Sequence, residues 1–348
     1  MNSIDSLFDI GRILPPAICV EMSGNHQGSL DSALKFLHLS KEYGADYLKL
    51  QVYKPGTITF NSNLPDFRVQ ADNEWSKYST LHDLYNDAHT PWNWIEALFQ
   101  EGKTIGLPVF ASPFDSTAID FLERLGCPAY KIASPEITDH NLIRNCAKTG
   151  KPIILSTGLA SREDLNEAVS IIKEESVKLL ILKCVSAYPT KIKDINVSTI
   201  PWLRKIYNCN VGLSDHTIGS EAAFAASALG ANLIEKHFKI PGDNSSIDSS
   251  FSMELSELRN FKNSINSIYN AVGKPSLEVP PTARASLSGR RSLYVVERIR
   301  KGEVFSNSNI KSIRPSYGLH PKHLSNILGK VAKADIEPGT RLEWKLIE

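Results

Sequence analysis

From residue 17 to about residue 272, short apolar runs alternate with amphipathic stretches at helical spacing. Eight runs have the length and near-continuous apolar character of buried strands: residues 17–22, 46–51, 107–112, 128–134, 152–157, 178–184, 210–214 and 232–237. Helical periodicity marks residues 29–43, 91–105, 116–126, 139–149, 161–175 and 219–229, and a last helical stretch, 254–271, follows the eighth strand. Strands of this kind, each followed by a helix, predict a parallel sheet covered by helices. Eight such units match a (β/α)8 barrel in number and length. The competing topology, a doubly wound open sheet, usually carries a glycine-rich phosphate turn after its first strand, and "EMSGNHQGS" holds no GxGxxG. A TIM barrel is therefore expected for residues 1–272.

The pattern breaks at residues 273–288, "GKPSLEVPPTARASLS", which are rich in Pro and Ser and lack periodicity. That stretch is expected to be a linker. Beyond it, residues 289–348 contain the motif I-x-x-G-x-x-[F/L] twice, as Ile299, Gly302, Phe305 and as Ile336, Gly339, Leu342. A short internal near-repeat in β-rich sequence predicts a small, pseudo-symmetric β-domain.

Composition narrows the function classes. The chain has 348 residues and a formal net charge of +1, so no global field points to nucleic acid or membrane. No apolar run reaches the length of a membrane span, and the N-terminus lacks the basic start of a signal peptide, so a cytoplasmic location is expected. The five cysteines are odd in number, have no CxxC spacing and fall mostly in apolar runs, which predicts reduced, buried thiols; a catalytic thiol is the alternative. Residues 289–348 carry twelve Lys/Arg against six Asp/Glu, a basic tail on an acidic body. With few aromatics among those bases, a cover over an anionic small molecule suits the tail better than nucleic-acid binding.

The active site of a (β/α)8 barrel lies at the C-terminal ends of its strands, and here every such end is polar. In order they offer Glu21; Lys49 and Gln51; Ser112; Lys131, Ser134 and Glu136; Ser156 and Thr157; Ser186 and Tyr188; Ser214, Asp215 and His216; then Glu235, Lys236 and His237. Two lysines with four serines on one rim suit a phosphate, because cations offset its charge and hydroxyls donate to its oxygens. The alternative is that each lysine pairs with a barrel carboxylate. His216 and His237 leave adjacent strands beside acidic residues, an arrangement suited to an open catalytic site for a divalent ion; two satisfied structural histidines are the alternative. The spacing is not that of structural zinc, and no cysteine accompanies the pair. His26 and His89 fall in loops and receive no role.

The motifs "EMSGNHQGSLDSALKF", "GADYLKLQVYKP", "FASPFDSTAIDFLE", "PAYKIASPEITD", "GKPIILSTG", "KCVSAYP", "GLSDHTIG" and "EKHF" resemble the sialic acid synthase family in order and spacing, over nearly the whole chain. "LYNDAHTPWNW", "ASPFD" and "SAYP" look most like the pseudaminic acid synthases of that family, and the tail resembles an antifreeze-like (SAF) domain. The resemblance implies a transferase that condenses phosphoenolpyruvate with an amino sugar, 2,4-diacetamido-2,4,6-trideoxy-L-altrose in the pseudaminic case, giving a nine-carbon 2-keto acid and phosphate. N-acetylneuraminate or legionaminic acid synthesis and a non-catalytic carbohydrate-binding barrel are the competing readings.

By the same resemblance Lys49, Ser112, Lys131, Ser134, Ser156 and Ser214 would hold phosphoenolpyruvate. His216 and His237 would hold a divalent metal, Mn²⁺ first, with Mg²⁺ or Co²⁺ as alternatives. Glu21, Glu136, His216 and His237 would be catalytic, and Gln51, Ser186, Tyr188 and Asp248 would bind substrate. A homodimer is implied in which the SAF domain caps the partner barrel and Arg314 reaches the sugar. Two positions depart from the family pattern: "SSID" stands where "GGPD" is usual, and Gly24 stands where alanine is common.

Overall fold

The computed structural model describes residues 4–11, 14–70 and 74–348. Eight parallel strands close into a barrel: β1 (Ala17–Glu21), β2 (Tyr47–Val52), β3 (Val109–Pro113), β4 (Tyr130–Ile132), β5 (Ile153–Ser156), β6 (Leu179–Cys184), β7 (Asn210–Asp215) and β8 (Leu233–Lys239). Closure is the β1–β8 pairing, with Ile18 opposite Ile234 and Glu21 opposite His237. The intervening helices are α1 (Leu30–Tyr43), α2 (Pro55–Ile58), α3 (Leu81–Ala88), α4 (Trp92–Ile105), α5 (Ser116–Leu125), α6 (His140–Lys148), α7 (Arg162–Glu174), α8 (Thr199–Tyr207) and α9 (Glu221–Ala228). A short β9 (Met253–Glu254) pairs with β8, and α10 (Leu258–Val272) ends the barrel unit at Gly273. Among the described residues no helix is long and apolar enough to cross a membrane.

Local chemistry sets these boundaries. Ser29, Thr80, Asp115, Asp139 and Ser161 each accept a backbone N–H in the first turn of the helix they precede. Helix α1 stops where Gly44 takes a left-handed conformation, φ 97°, which a residue with a Cβ resists. Helix α8 lies outside the helices expected from periodicity. Its sequence, TIPWLRKIY, carries Pro201 in the first turn, where the missing N–H costs nothing. Helix α3 also lies outside them; its eight residues bury only Leu84 fully, which leaves little periodic signal.

Alternation along the strands separates two environments. One set of side chains, including Val20, Leu48, Leu50, Tyr130 and Ile132, joins the buried apolar core of the barrel unit. The other set, Glu21, Lys49, Lys131, Ser214, Glu235 and His237, faces the barrel axis and is linked by the polar contacts described below. All five cysteines are buried and free.

The second compact unit begins at Lys274. In the stretch expected to be a linker, residues 281–289 form an exposed 3-10 helix. Beyond it, β10 (Ser292–Val295) and β11 (Ile310–Ile313) pair antiparallel, and a single turn, α11 (Leu324–Ile327), follows. The two sequence near-repeats meet each other. Ile299 and Ile336 exchange both backbone hydrogen bonds, at 3.0 and 2.7 Å, and Phe305 and Leu342 enter one core with Leu293 and Val295. The repeated glycines, Gly302 and Gly339, share a positive φ of 79° and 85°, which is why the motif keeps them.

Candidate active site

The axis-facing residues at the strand ends converge on a cavity of about 390 Å³. Of the residues singled out from sequence, Lys49, Gln51, Lys131, Ser134, Glu136, Ser156, Tyr188, Ser214, His216, His237 and Asp248 line it. Glu21 and Ser112 lie beneath its floor, both buried and both reached through Lys49. Ser186 stands at the edge, beside Gly158. An added Cβ at Gly158 would lie 2.7 Å from Ser134 Oγ, 3.0 Å from Cys184 Sγ and closer still to Ser186 Oγ, so any larger residue there would have to displace these side chains. Arg314 belongs to the second unit, where it borders a groove with Ser286, Arg290 and Arg291.

The floor is a network of buried ions. Lys49 Nζ stands 2.7 Å from Glu21 Oε2 and 3.6 Å from Glu235 Oε1, while Lys131 Nζ donates to both Glu235 oxygens at 2.8 and 2.9 Å. Ser214 Oγ donates to Glu235 at 3.2 Å, and Gln51 Nε2 donates to Glu21 Oε1 at 3.0 Å. Sequence set a lysine facing a phosphate against a lysine paired with a carboxylate. Here both lysines are paired and both still line the cavity. Burial alone would raise the Glu235 carboxyl, but Lys131 and Lys49 outweigh it and hold it at about 2. Glu21 goes the other way: burial raises it more than Lys49 lowers it. Buried lysines ordinarily lose their charge, yet Lys49 is held cationic because Glu21 and Glu235 offset its burial.

Beside this network stand the two histidines, with ring centroids 5.2 Å apart. The His216 Nδ1 lies 3.0 Å from the Val185 carbonyl, which assigns a proton to Nδ1 and leaves Nε2 to ligate once it is deprotonated. Burial lowers the pKa of this imidazole, but Cys184, the Val185 carbonyl and Glu235 outweigh burial and raise it. His237 Nδ1 is buried without a hydrogen-bond partner. Burial first, then His216 and the lysines, keep the His237 imidazole neutral, the ligating form. The donor set therefore fits a divalent ion with two protein nitrogens. Among the described residues no group of three His, Cys, Asp or Glu gathers for a metal, so the remaining ligands would be substrate and water oxygens.

Asp248 sits across from this pair, its Oδ2 3.8 Å from His237 Nδ1 and accepting the Gly24 N–H at 3.4 Å. The loop that carries it is ordered by Asp243, which accepts the backbone N–H groups of Ser245 and Ser246 at 2.9 and 3.2 Å. Both departures from the family pattern meet here. An added Cβ at Gly24 would lie 3.3 Å from Ile247 Cβ and 3.6 Å from the Ala88 carbonyl, so the Ile of "SSID" occupies room that a residue-24 side chain would need.

Several cavity residues escaped the sequence reading. Cys184 lines the cavity with its Sγ 3.8 Å from His216 Nδ1; burial would raise its thiol, but His216 draws it down to about 7. Its position two residues before Ser186 in an alternating strand was the available signal. Tyr53, Leu84, Tyr85, Phe114 and Ile247 give the cavity an apolar wall that has no local signature, since it is assembled from four separated segments. His26 is structural: its ring bridges the Gly28 N–H at 3.1 Å and the Ala88 carbonyl at 3.2 Å, edge-on to Trp94. His89 Nδ1 contacts the Asn86 carbonyl of its own turn.

Residues 36–276 match the NeuB family and residues 290–348 match the SAF domain. The chain belongs to the NeuB family. It is 43% identical to a pseudaminic acid synthase of Campylobacter jejuni over 94% of this chain and 95% of that protein. A pseudaminic acid synthase of Helicobacter pylori is 42% identical over 96% and 98% of the two chains. Among solved structures, an N-acetylneuraminic acid synthetase of Leptospira borgpetersenii in complex with citrate superposes with a TM-score of 0.71 at 29% identity, covering 80% of this chain and 92% of that one. The resemblance read from motifs and the (β/α)8 barrel with a SAF domain agree with these matches.

Proposed function

We propose that this NeuB-family chain is a pseudaminic acid synthase, condensing phosphoenolpyruvate with 2,4-diacetamido-2,4,6-trideoxy-L-altrose to give the nine-carbon 2-keto acid and inorganic phosphate. The observation that carries the reading is one cavity holding two buried ammonium groups, a row of serine hydroxyls and two histidines on adjacent strands, in a chain that aligns end to end with pseudaminic acid synthases.

In the reaction, C3 of phosphoenolpyruvate forms a bond to the aldehyde carbon, and the aldehyde oxygen takes a proton to become a hydroxyl. Water adds at C2 and the C2–O bond to phosphate breaks. Lys49 and Lys131 bind the anionic substrate, with Ser134 and Ser156 donating to its oxygens, Ser214 turning its hydroxyl from Glu235 to the substrate, and Ser112 supporting Lys49. Glu235 helps keep the Lys49 ammonium charged and holds Lys131 in place before substrate arrives. Glu136 holds a proton near neutrality for the aldehyde oxygen. Glu21 steers proton movement from below, through Lys49 and Gln51. Tyr188, Ser186 and Asp248 face the sugar. Family membership implies a metal-dependent reaction, and a divalent ion on His216 and His237, Mn²⁺ in our reading, would polarise the aldehyde and lower the pKa of bound water. The proposed assembly is a homodimer in which the SAF domain of one subunit caps the barrel of the other and Arg314 reaches the sugar.

Phosphate release, measured with phosphoenolpyruvate against a panel of 2-acetamido and 2,4-diacetamido sugars, tests the reading. The 2,4-diacetamido-6-deoxy sugar should give the highest kcat/KM, EDTA should abolish turnover and Mn²⁺ should restore it. Preference for a 2-acetamido hexose would move the chain to the N-acetylneuraminate synthases. No phosphate release with any sugar would overturn the enzyme reading.

A further inference from the structure

A second ion pair at the same end of the barrel has no part in the chemistry above. Lys236 Nζ stands 2.9 Å from Asp215 Oδ2 and donates to the Thr217 carbonyl at 2.6 Å. Asp215 Oδ1 in turn accepts the Thr217 N–H at 2.9 Å and the Thr217 hydroxyl at 2.7 Å. The side chains of Lys236 and Asp215 are 2% and 0% exposed, and neither lines the cavity. Each alternates with a histidine, so both point away from the axis while His216 and His237 point toward it.

A buried ion pair is a poor way to stabilise a fold, because desolvation cancels most of the attraction and an apolar pair of similar volume serves as well. Its merit is directional. Strand β7 ends at Asp215, so His216 stands one residue past the sheet, whereas His237 lies within β8. The ladder between these strands has Asp215 opposite Lys236 as its last pair. Beyond that pair the His216 backbone is held by the Thr190 N–H on its carbonyl at 2.9 Å and by the contacts that tie residues 215 and 217 to Lys236. The Val185 carbonyl holds the His216 ring, while this polar lock holds the backbone that carries it, so both bear on the separation of the two imidazoles. Two protein ligands leave a metal site little tolerance for error, since a productive site is held within about half an ångström.

We propose that Lys236, Asp215 and Thr217 are positioning residues that set the spacing of His216 and His237 for a divalent ion. The inference rests on the assignment of those histidines as metal ligands.

The test is Mn²⁺ affinity of the full-length protein, read from the EPR signal of free Mn²⁺ during titration, with melting temperature measured in parallel. Exchanging both charges together, Asp215→Leu with Lys236→Met, avoids an unpaired buried charge. This double variant should bind Mn²⁺ about ten- to a hundredfold more weakly, the range seen when partners behind metal ligands are removed. Thr217→Val deletes only the hydroxyl contact, covers the case in which the double variant does not fold, and should weaken binding in the same direction. Lys262→Met breaks an ion pair with Asp46, 2.7 Å apart and remote from the cavity, and should leave Mn²⁺ affinity within about twofold. His216→Ala separates the two assignments. If it binds Mn²⁺ like the parent, the metal reading fails. If it binds weakly while Thr217→Val and the double variant match the parent, the lock is overturned. An equal loss in Lys262→Met would also overturn it, because the effect would then be general destabilisation.

Discussion

Glu136 illustrates how one residue's surroundings set its chemistry. Burial, with Asp139 adding to it, lifts the Glu136 carboxyl from about 4.5 to about 7, against a backbone hydrogen bond and Lys49. In the unfolded chain the same group ionises near its ordinary value. Between those two values the native state keeps a proton that the unfolded state has lost, so stability falls as pH rises from about 4.5 to 7 and is level above it, by a few kcal/mol at most. Glu136→Gln removes this term. Its melting temperature relative to the parent should therefore rise between pH 5 and pH 8. If the protonated carboxyl serves the aldehyde oxygen, kcat/KM of the parent should fall as pH passes through about 7, and the Gln variant should lose that limb. Parallel pH–rate profiles would remove Glu136 from proton transfer, whatever the melting curves show.

At the scale of elements, the barrel depends on close contact between helix and strand. Gly102 in α4 shows the tolerance: an added Cβ would lie 2.5 Å from Val109 Cγ2 and 2.9 Å from the Leu107 carbonyl. Alanine gains about 1 kcal/mol over glycine in helix propensity. Overpacking against a backbone carbonyl that cannot rotate away costs about 1–3 kcal/mol. The clash should win, so Gly102→Ala should lower the urea midpoint, and a raised midpoint would mean that α4 shifts freely. All eight strands were legible because each is a continuous apolar run with a polar exit, for example "KLLILKC" before "VSAYP". Helix α8 was not, because Pro201 and a nine-residue length mask its periodicity. The apolar wall of the cavity was not legible either: Leu84 and Tyr85 come from α3 while Phe114 and Ile247 come from loops far away in the chain.

The whole molecule divides into two units, each with its own hydrophobic core. A chain ending near residue 280 should therefore keep a folded barrel. In the dimer proposed above, the charge split, twelve Lys/Arg against six Asp/Glu in residues 289–348 of a chain with net charge +1, would favour docking of the basic tail on an acidic body, and bound phosphoenolpyruvate would add to the attraction. In the proposed dimer the cap acts in trans, which a mixing experiment decides. Glu21→Gln protein and Arg314→Ala protein should each be nearly inactive. After subunit exchange, mixed dimers contain one site with Glu21 and Arg314 both intact, and about a quarter of parental activity should return. No recovery, with exchange verified by mass spectrometry, would mean that each tail serves its own barrel.

Sequence by itself determined the strand order, most of the helices between the strands, the polar exits and the pair of histidines, because hydrophobic periodicity and strand alternation are local properties of the chain. It also carried the repeated motif of the small β-domain, whereas the pairing of Ile299 with Ile336 came from the tertiary structure. Only the tertiary structure decided which partner each charge takes. Lys131 meets Glu235 across 104 positions, Lys49 divides between Glu21 and Glu235, and Lys236 turns outward to Asp215. Barrel closure brings β1 against β8 and collects residues from eight strand ends around one axis. The strength of an ionic contact depends on distance and burial, and both are set by that closure rather than by neighbours in the chain.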